Sequence, residues 1–533
     1  MRHFSSYGPV EPKAHFSVER KALIERCVEQ LVGLPDEAGG HYFTIWGPRQ
    51  TGKTWIMRRA IEEIRKQYGD AFLVGKMSMQ GVIINDNQPA ETLLHSVPLQ
   101  FDLAFHVDVP RPSAWEDFMV LFKKSRRLFG DKRVILLIDE FDSLRPEIID
   151  RVVSLFRDIY LARDEYVLHS LALIGVRAVL GLDSKRGSPF NVQRSMQIPN
   201  LTRDEVGEMF QQYQSESGQT IAPEVVEAVH DSTRGQPGLV SWFGELLTEK
   251  FNPGKEKTIG RVTWKNVYYR ALHTEWNNTL LNLIKKAREE HRPRVMKLFT
   301  DPNVPFSIRE DWCSYLYMNG IIDESMIPDP RDAEAELAVC RFSSPFVQES
   351  LYATFTGDMF DNKGPLPAIP LLDELEDVFT PNALCAPRLL ERYRDYLKRL
   401  KEQGIDPWIG QPRRQDLHYT EAVGHFHLYA WLLHALRGFG CSVSPEFPTG
   451  NGKVDLVLQT KDHKAVIEVK SFVSIPQVRA ARQQAATYAK KLGLSAATVA
   501  LFAQSVDEEV IAKLSSESDI DGVHVSIVAF GWV

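Results

Sequence analysis

Two groups of residues have the types and spacing for chemistry. The first is Gly47-Pro48-Arg49-Gln50-Thr51-Gly52-Lys53-Thr54, which fits G-x-x-x-x-G-K-[ST]. Its glycines let the backbone wrap closely, so that successive N–H groups face phosphate oxygens. Lys53 would reach the β/γ-phosphates and the Thr54 hydroxyl would ligate Mg²⁺. Asp139 and Glu140 belong to the same chemistry. They end the run RVILLIDEFD (133–142), where Asp139 would hold the Mg²⁺ shell and Glu140 would orient or deprotonate the attacking water. An acidic pair in such apolar surroundings is costly without a role of that kind. Arg177 closes the next apolar run and is placed to touch a γ-phosphate; a surface arginine capping a strand is the plainer alternative. Together these residues predict a nucleoside triphosphate as ligand, with Mg²⁺, and its hydrolysis.

The second group is Asp455, Glu468 and Lys470. Glu468 and Lys470 stand two apart on an expected strand and so share a face. If a four-residue turn pairs Thr460 with Ala465, Asp455 lies opposite Lys470 and diagonal to Glu468, within mutual reach. Two carboxylates and an ammonium then converge, and oxygen ligands suit Mg²⁺ or Mn²⁺. A metal held by them could polarise a scissile phosphate while Lys470 helps to position a water. Gln484 and Tyr488, i and i+4 on a downstream helix, and Glu421 on an upstream one extend the set. Taken alone, D…E-x-K also fits an exposed strand with alternating charges. His425 and His427 read as satisfied structural histidines.

Positioning the first group takes a strand, Tyr42–Trp46, ending at the glycine loop, and a helix, Trp55–Lys66, leaving it. Val18–Leu31 reads as an amphipathic helix before them. Val134–Ile138 is a run of branched aliphatics suited to a central parallel strand buried on both faces. It delivers Asp139 and Glu140 at its carboxyl end, beside the loop. Strands are also expected over 71–79, 100–107, 169–176 and 196–199. Helices over 204–213, 223–229 and 239–247 would make a lid, with the turn Arg234-Gly235-Gln236-Pro237-Gly238 before the last of them.

From Lys257 to Lys297 ten Lys/Arg stand against three acids. Helices over 263–269, 280–286, 294–300 and 309–318, short strands over 321–322 and 338–342 flanking a polar loop, and a helix over 345–354 follow the order of a winged helix. Its basic side would bind DNA, or the segment would only pack between domains. The stretch 361–387 reads as a linker. For the second group, a helix (421–437), a turn (448–452), a hairpin of strands (454–459 and 465–472) and a helix (476–492) are expected.

The first half resembles the AAA+-related ATPases of the archaeal-type and STAND classes. The likeness rests on GPRQTGKT, a strand ending in DE, an arginine closing the next strand, a G-x-P turn in the lid and the S-P-F-N-V segment at 188–192. It implies that the nucleotide is ATP, that Arg177 is a γ-phosphate sensor, that Pro237 sits near the adenine and that Phe16–Arg20 covers the base. An arginine finger is not obvious; Arg186 and Arg194 are candidates. Residues 415–533 are similar to the PD-(D/E)XK nuclease superfamily through Gly452, Asp455, Glu468, Lys470, Gln484 and Tyr488, with Glu421 ahead of them.

The expected class is α/β. It comprises a P-loop three-layer sheet with a helical lid (1–256), a winged-helix segment (257–360), a linker (361–388) and a restriction-endonuclease-like α/β domain (389–533). A chain of 533 residues is too long for one core, and about three domains is the natural count. The function expected is an ATPase controlling a metal-dependent phosphodiesterase; the resemblance implies DNA as its substrate and a role in prokaryotic genome defence or in a mobile element. The alternative is a signalling ATPase whose nuclease-like domain only binds nucleic acid or a partner, with a homo-oligomer or a sensor as further partners. Net charge is −7, so nucleic acid must be met by local patches. Five cysteines, far apart, argue against zinc and disulfides and for a reducing cytoplasm. No apolar run is long enough for a membrane span.

Overall fold

The computed structural model describes all residues except 35–38, 81, 83–88, 176–193, 290, 302, 330–331, 362–374, 381–382, 409–420, 437–438, 446–455, 473, 504–506 and 532–533, and the side chains of 89–90, 194, 333, 359–361 and 475. The chain divides into two compact units. One holds Met1–Lys286 with Ser307–Asp323 and Ser343–Val347; the other holds Ala287–Phe306, Glu324–Phe342 and Gln348–Val533. The segment 257–360 therefore contributes to both.

The first unit is built on a parallel sheet of β1 (Tyr42–Trp46), β2 (Phe72–Ser78), β3 (Arg133–Asp139), β4 (Leu168–Gly175) and β5 (Arg194–Gln197), in the order β2-β3-β4-β1-β5. Alternation decides its layers. Phe43, Ile45, Ile135, Leu137 and Ile174 point to one face, where α1 (Lys21–Val32) and α2 (Lys53–Tyr68) bury Cys27, Leu31, Ile56, Ala60 and Ile64. Val134, Leu136, Ile138, Leu171 and Leu173 point to the other, under α3 (Pro89–Phe105), α4 (Trp115–Val120) and α5 (Pro146–Leu161). Strands covered on both faces can be apolar throughout, as β3 and β4 are. A lid follows in α6 (Arg203–Ser217), α7 (Pro223–Thr233) and α8 (Pro237–Glu245). Thr202 and Glu205 form a capping box at the start of α6.

The strand expected over 100–107 is instead the end of α3. Phe101, Leu103 and Phe105 alternate like a strand. Leu94, Val97, Phe101 and Phe105 also recur at helical spacing, and that face is buried while Leu99 and Leu103 are exposed. Gly75 of β2 makes room: a Cβ there would sit 2.2 Å from the Phe105 ring.

After the lid come α9 (Arg261–His273), α10 (Asn278–Arg288), α11 (Arg292–Leu298) and α12 (Asp311–Met318). A two-stranded sheet of β6 (Ile322–Asp329) and β7 (Asp332–Phe342) and the helix α13 (Pro345–Asp361) complete this stretch. The polar loop expected between short strands is thus largely strand. Its alternating Glu334 and Glu336 leave one face to solvent, a pattern an exposed ribbon accepts. Part of the expected linker is structured as well, since Leu375, Val378 and Leu384 are buried.

The second unit has a six-stranded mixed sheet of β8 (Ser442–Ser444), β9 (Leu456–Gln459), β10 (Lys464–Ser471), β11 (Ala496–Ala503), β12 (Ser516–Ile520) and β13 (Val523–Gly531), in the order β12-β13-β11-β10-β9-β8. The helices α14 (Ala386–Glu402), α15 (Glu421–Ala435), α16 (Ile475–Lys491) and α17 (Glu508–Leu514) pack on this sheet. Val466 of β10 shares a core with Val478, Ala485 and Ala489 of α16. Glu468 and Lys470, two and four residues on, therefore face the α16 side.

Candidate functional site

The phosphate-type loop spans the gap between β1, ending at Trp46, and α2, starting at Lys53. Gln50 (φ 58°) and Gly52 (φ 92°) are left-handed, which folds the loop back over the helix start. No side chain caps α2. The N–H groups of its first turn and the positive end of a 16-residue helix thus meet at the loop. Lys53 Nζ donates to the carbonyls of Gly47 (2.8 Å) and Pro48 (2.7 Å), and Thr51 Oγ1 to that of Pro48 (2.9 Å). Burial pushes the Lys53 ammonium down to about 8 against the pull of Asp142, Glu140 and Asp139, with Arg49 adding to the fall.

Thr54 Oγ1 donates to Asp139 Oδ2 at 3.2 Å. Asp139 is buried, pairs with Lys76 Nζ at 3.3 Å and accepts the Glu140 N–H at 3.1 Å. Glu140 follows β3 in a left-handed conformation (φ 53°). Burial holds its carboxyl above the usual range, and Asp139 and Asp142 push the same way. Asp142 leans on the end of β4, where a Cβ on Gly175 would meet its Oδ1 at 2.6 Å. The loop, Asp139, Glu140 and Asp142 thus make one charged cluster. Arg177 and Arg186 lie outside the described residues, as does the S-P-F-N-V segment; Arg194 is placed in β5 by its backbone.

The lid reaches the same loop. Gln236 Nε2 donates to the Arg49 carbonyl at 2.9 Å, directly before Pro237 opens α8. Phe16 is buried against Phe4 and Tyr213, and Arg20 reaches the carbonyls of Pro199 (2.9 Å) and Asn200 (3.1 Å) and pairs with Glu205 (3.1 Å). The Phe16–Arg20 stretch therefore packs beside the lid helix α6. Sequence reasoning missed Lys76, Asp142, Gln236 and Tyr317. Lys76, a lone cation in the strand FLVGKMS, and Asp142, third in D-E-F-D, carried a local signal. Tyr317, whose hydroxyl accepts from Gln197 Nε2 at 3.0 Å and whose ring lies 5.8 Å from Trp46, carried none.

In the second unit Lys470 Nζ lies 3.0 Å from Glu468 Oε1 and 3.3 Å from Glu421 Oε1. Glu468 is 1% exposed, Lys470 20% and Glu421 22%. Glu421, Lys470 and Gln484 line one cavity of about 280 Å³ at the carboxyl end of β10, walled by Ser471, Val478 and Leu501. Tyr488, one turn beyond Gln484, packs against the α16-side core. Five of the expected positions thus fall around α15, β10 and α16. Asp455 and Gly452 lie outside the described residues.

The expected hairpin register is corrected. Thr460 N–H donates to the His463 carbonyl at 2.9 Å, so Gln459 pairs with Lys464 and Ile467 with Leu456. That is two residues from a Thr460–Ala465 pairing, because Thr460 and His463 close the turn instead of starting the strands. The predicted facing of Asp455 and Lys470 does not follow from this register. His425 and His427 are buried, bonded to the hydroxyls of Tyr352 and Tyr393 respectively.

Comparison with curated proteins by sequence gives no match. Among solved structures, the chain is similar to the Walker-type ATPase PABY2304 of Pyrococcus abyssi (14% identity, TM-score 0.41, covering 65% of this chain and 99% of that one). It is also similar to the Aeropyrum pernix ORC1 protein in complex with DNA (14%, 0.32, 64% and 94%). A third is the Thermotoga maritima RuvB Holliday junction branch migration motor (13%, 0.33, 60% and 92%). No helix among the described residues is long and apolar enough to cross a membrane. The AAA-like domain family matches residues 5–283, 279 of the 533 residues and nearly the whole main segment of the first unit, and the chain belongs to that family.

Proposed function

We propose that the chain is an ATP-hydrolysing switch that controls a metal-dependent phosphodiesterase site in its second unit, with DNA as substrate and prokaryotic genome defence as its setting. The AAA-like domain supports ATP as the ligand. In this reading Lys53 leaves the carbonyls of Gly47 and Pro48 for the β/γ-phosphates, and the N–H groups of residues 47–54 cradle them. The Thr54 hydroxyl and Asp139 carboxylate are hard oxygen donors suited to Mg²⁺, which supplies charge neutralisation when bound. Glu140, lifted in pKa by burial and two neighbouring acids, accepts the proton of the attacking water. Arg177, assigned from the sequence alone, senses the γ-phosphate, and Pro237 borders the adenine.

The observation that carries the second half is the gathering of Glu421, Lys470 and Gln484 around one cavity, with the buried Glu468 3.0 Å from Lys470 Nζ. A carboxylate buried as deeply as Glu468 needs a cation beside it. The pair of carboxylates, with Asp455 as the third from sequence spacing, fits Mg²⁺ or Mn²⁺ by its hard oxygens. Such a metal would polarise a scissile phosphate, with Lys470 and Gln484 orienting water and substrate and Tyr488 supporting Gln484 from the next turn. The basic helices after the lid and the ribbon of β6 and β7 support a winged-helix reading of the middle segment. One observation favours the alternative, a regulatory ATPase whose second unit only binds. Lys470 Nζ stands beside both carboxylates, 3.0 Å from Glu468 and 3.3 Å from Glu421, and so supplies the buried Glu468 with a cation from the chain itself.

The test is plasmid nicking by the full chain with Mg²⁺ or Mn²⁺. Nicking that Lys470→Ala abolishes is expected. Equal cutting by both proteins, or none on any nucleic acid with ATP present, removes the phosphodiesterase half of the proposal.

A further inference from the structure

The helix α9 has two contrasting faces. Inward, Val267 and Ala271 are buried, and Trp264 and Tyr268 pack on Phe243 at ring distances of 5.1 and 6.0 Å. The Phe346 ring, 5.5 Å from Tyr268, completes this aromatic cluster on the inner side of the helix. Outward, large apolar groups stand in solvent: Val262 is 76% exposed, Tyr269 64% and Trp276, just past the helix, 75%. Exposed rings of that size on a well-packed element point to a binding surface.

Their neighbours say what kind. The α9 sequence RVTWKNVYYRALH holds no acid, and Arg261, Lys265, Tyr269 and His273 follow one another at four-residue spacing along the exposed side. Among the described residues Arg261 and Lys265 enter no ion pair. Glu275, two residues past the helix, is taken up by Lys250. The Tyr269 and His273 rings lie 4.5 Å apart, and Tyr7, half exposed, donates to the Trp276 carbonyl at 3.3 Å. Two cations without counter-charges are followed by flat rings over about 20 Å of helix. A polyanion that carries its own flat groups meets both the cations and the rings of this surface.

We propose that the outer face of α9, together with Trp276, binds single-stranded nucleic acid, with Arg261 and Lys265 meeting phosphates and Tyr269 and Trp276 stacking on bases. Single strands are specified because only unpaired bases offer their faces to a side chain. The inference rests on nucleic acid being the partner of this chain, as proposed above, and adds where and in what form the AAA-like unit meets it.

Binding of a fluorescent oligothymidylate to the full chain, by anisotropy in EDTA so that nothing is cut, tests it. Tyr269→Ala and Trp276→Ala should each weaken binding roughly 5- to 150-fold. Lys265→Ala should flatten the dependence of log affinity on log salt by about 0.7. All three variants should melt and bind ATP as the wild type does, since none of these side chains is buried. Unchanged affinity in both ring variants overturns the inference and leaves the nicking result untouched. Wild-type nicking of plasmid without oligonucleotide binding overturns it alone; neither nicking nor binding overturns both. Self-association that Tyr269→Ala abolishes, with no oligonucleotide bound, overturns it in favour of a contact between copies.

Discussion

Lys53 gives the sharpest quantitative handle on the nucleotide site. Its ammonium donates to the carbonyls of Gly47 and Pro48, and burial lowers its pKa to about 8. A polyphosphate arriving beside it restores the charged form. Binding is therefore coupled to proton uptake wherever the free lysine has lost its proton. The affinity should fall by a factor of about 1 + 10^(pH − 8), roughly tenfold between about pH 7 and about pH 9, or about 1.4 kcal/mol. For the unliganded fold the sign is the opposite of a paired lysine. A depressed pKa contributes stability above the unfolded value, and that contribution is lost as pH falls toward about 8. ATP titrations by calorimetry in buffers of different ionisation enthalpy read both quantities. About 0.9 proton should be taken up per ATP near pH 9 and about 0.1 near pH 7. Lys53→Arg, which stays charged, should bind with little dependence on pH. A wild-type affinity that stays flat through about pH 9, with no proton uptake, refutes the assignment of Lys53 to the phosphates.

Glu140→Gln should retain ATP binding and lose turnover by roughly 100-fold or more, measured as single-turnover phosphate release; surviving turnover would move the water-activating role elsewhere. Gly175→Ala should lower the thermal midpoint, because the new Cβ meets Asp142 Oδ1 at 2.6 Å. A loss of about 1–3 kcal/mol is expected, since the neighbour is a side chain that can yield. Lys470→Ala should cost stability as well as nicking, on the order of 1–3 kcal/mol, because Glu468 loses the ammonium 3.0 Å away; a urea titration beside the nicking assay checks this.

The framework of the first unit was legible where local rules govern it. The aliphatic run Val134–Ile138 could be little else than a strand covered on both faces, and the glycine loop fixed what precedes and follows it. The stretch 100–107 was misread because Phe101, Leu103 and Phe105 satisfy two periods at once. Only the partner surface, opened by Gly75, selects the helical one. The hairpin register of β9 and β10 was missed by two because the turn's hydrogen bonds, from Thr460 to His463, cannot be inferred from charge spacing. Yet the same-face pairing of Glu468 with Lys470 follows from strand geometry, and Glu421 reaches Lys470 although forty-nine residues separate them. Tyr317 beside Trp46 and Gln197 is a tertiary contact with no signature in its own neighbourhood.

Control of one site by the other is tested most directly by measuring plasmid nicking with ATP, with ADP and without nucleotide, in the wild type and in Glu140→Gln. The account predicts that nicking differs between ATP and ADP in the wild type, and that the Glu140→Gln protein with ATP stays fixed in the ATP-bound level of activity. Nicking at one rate under all nucleotide conditions in both proteins would contradict it.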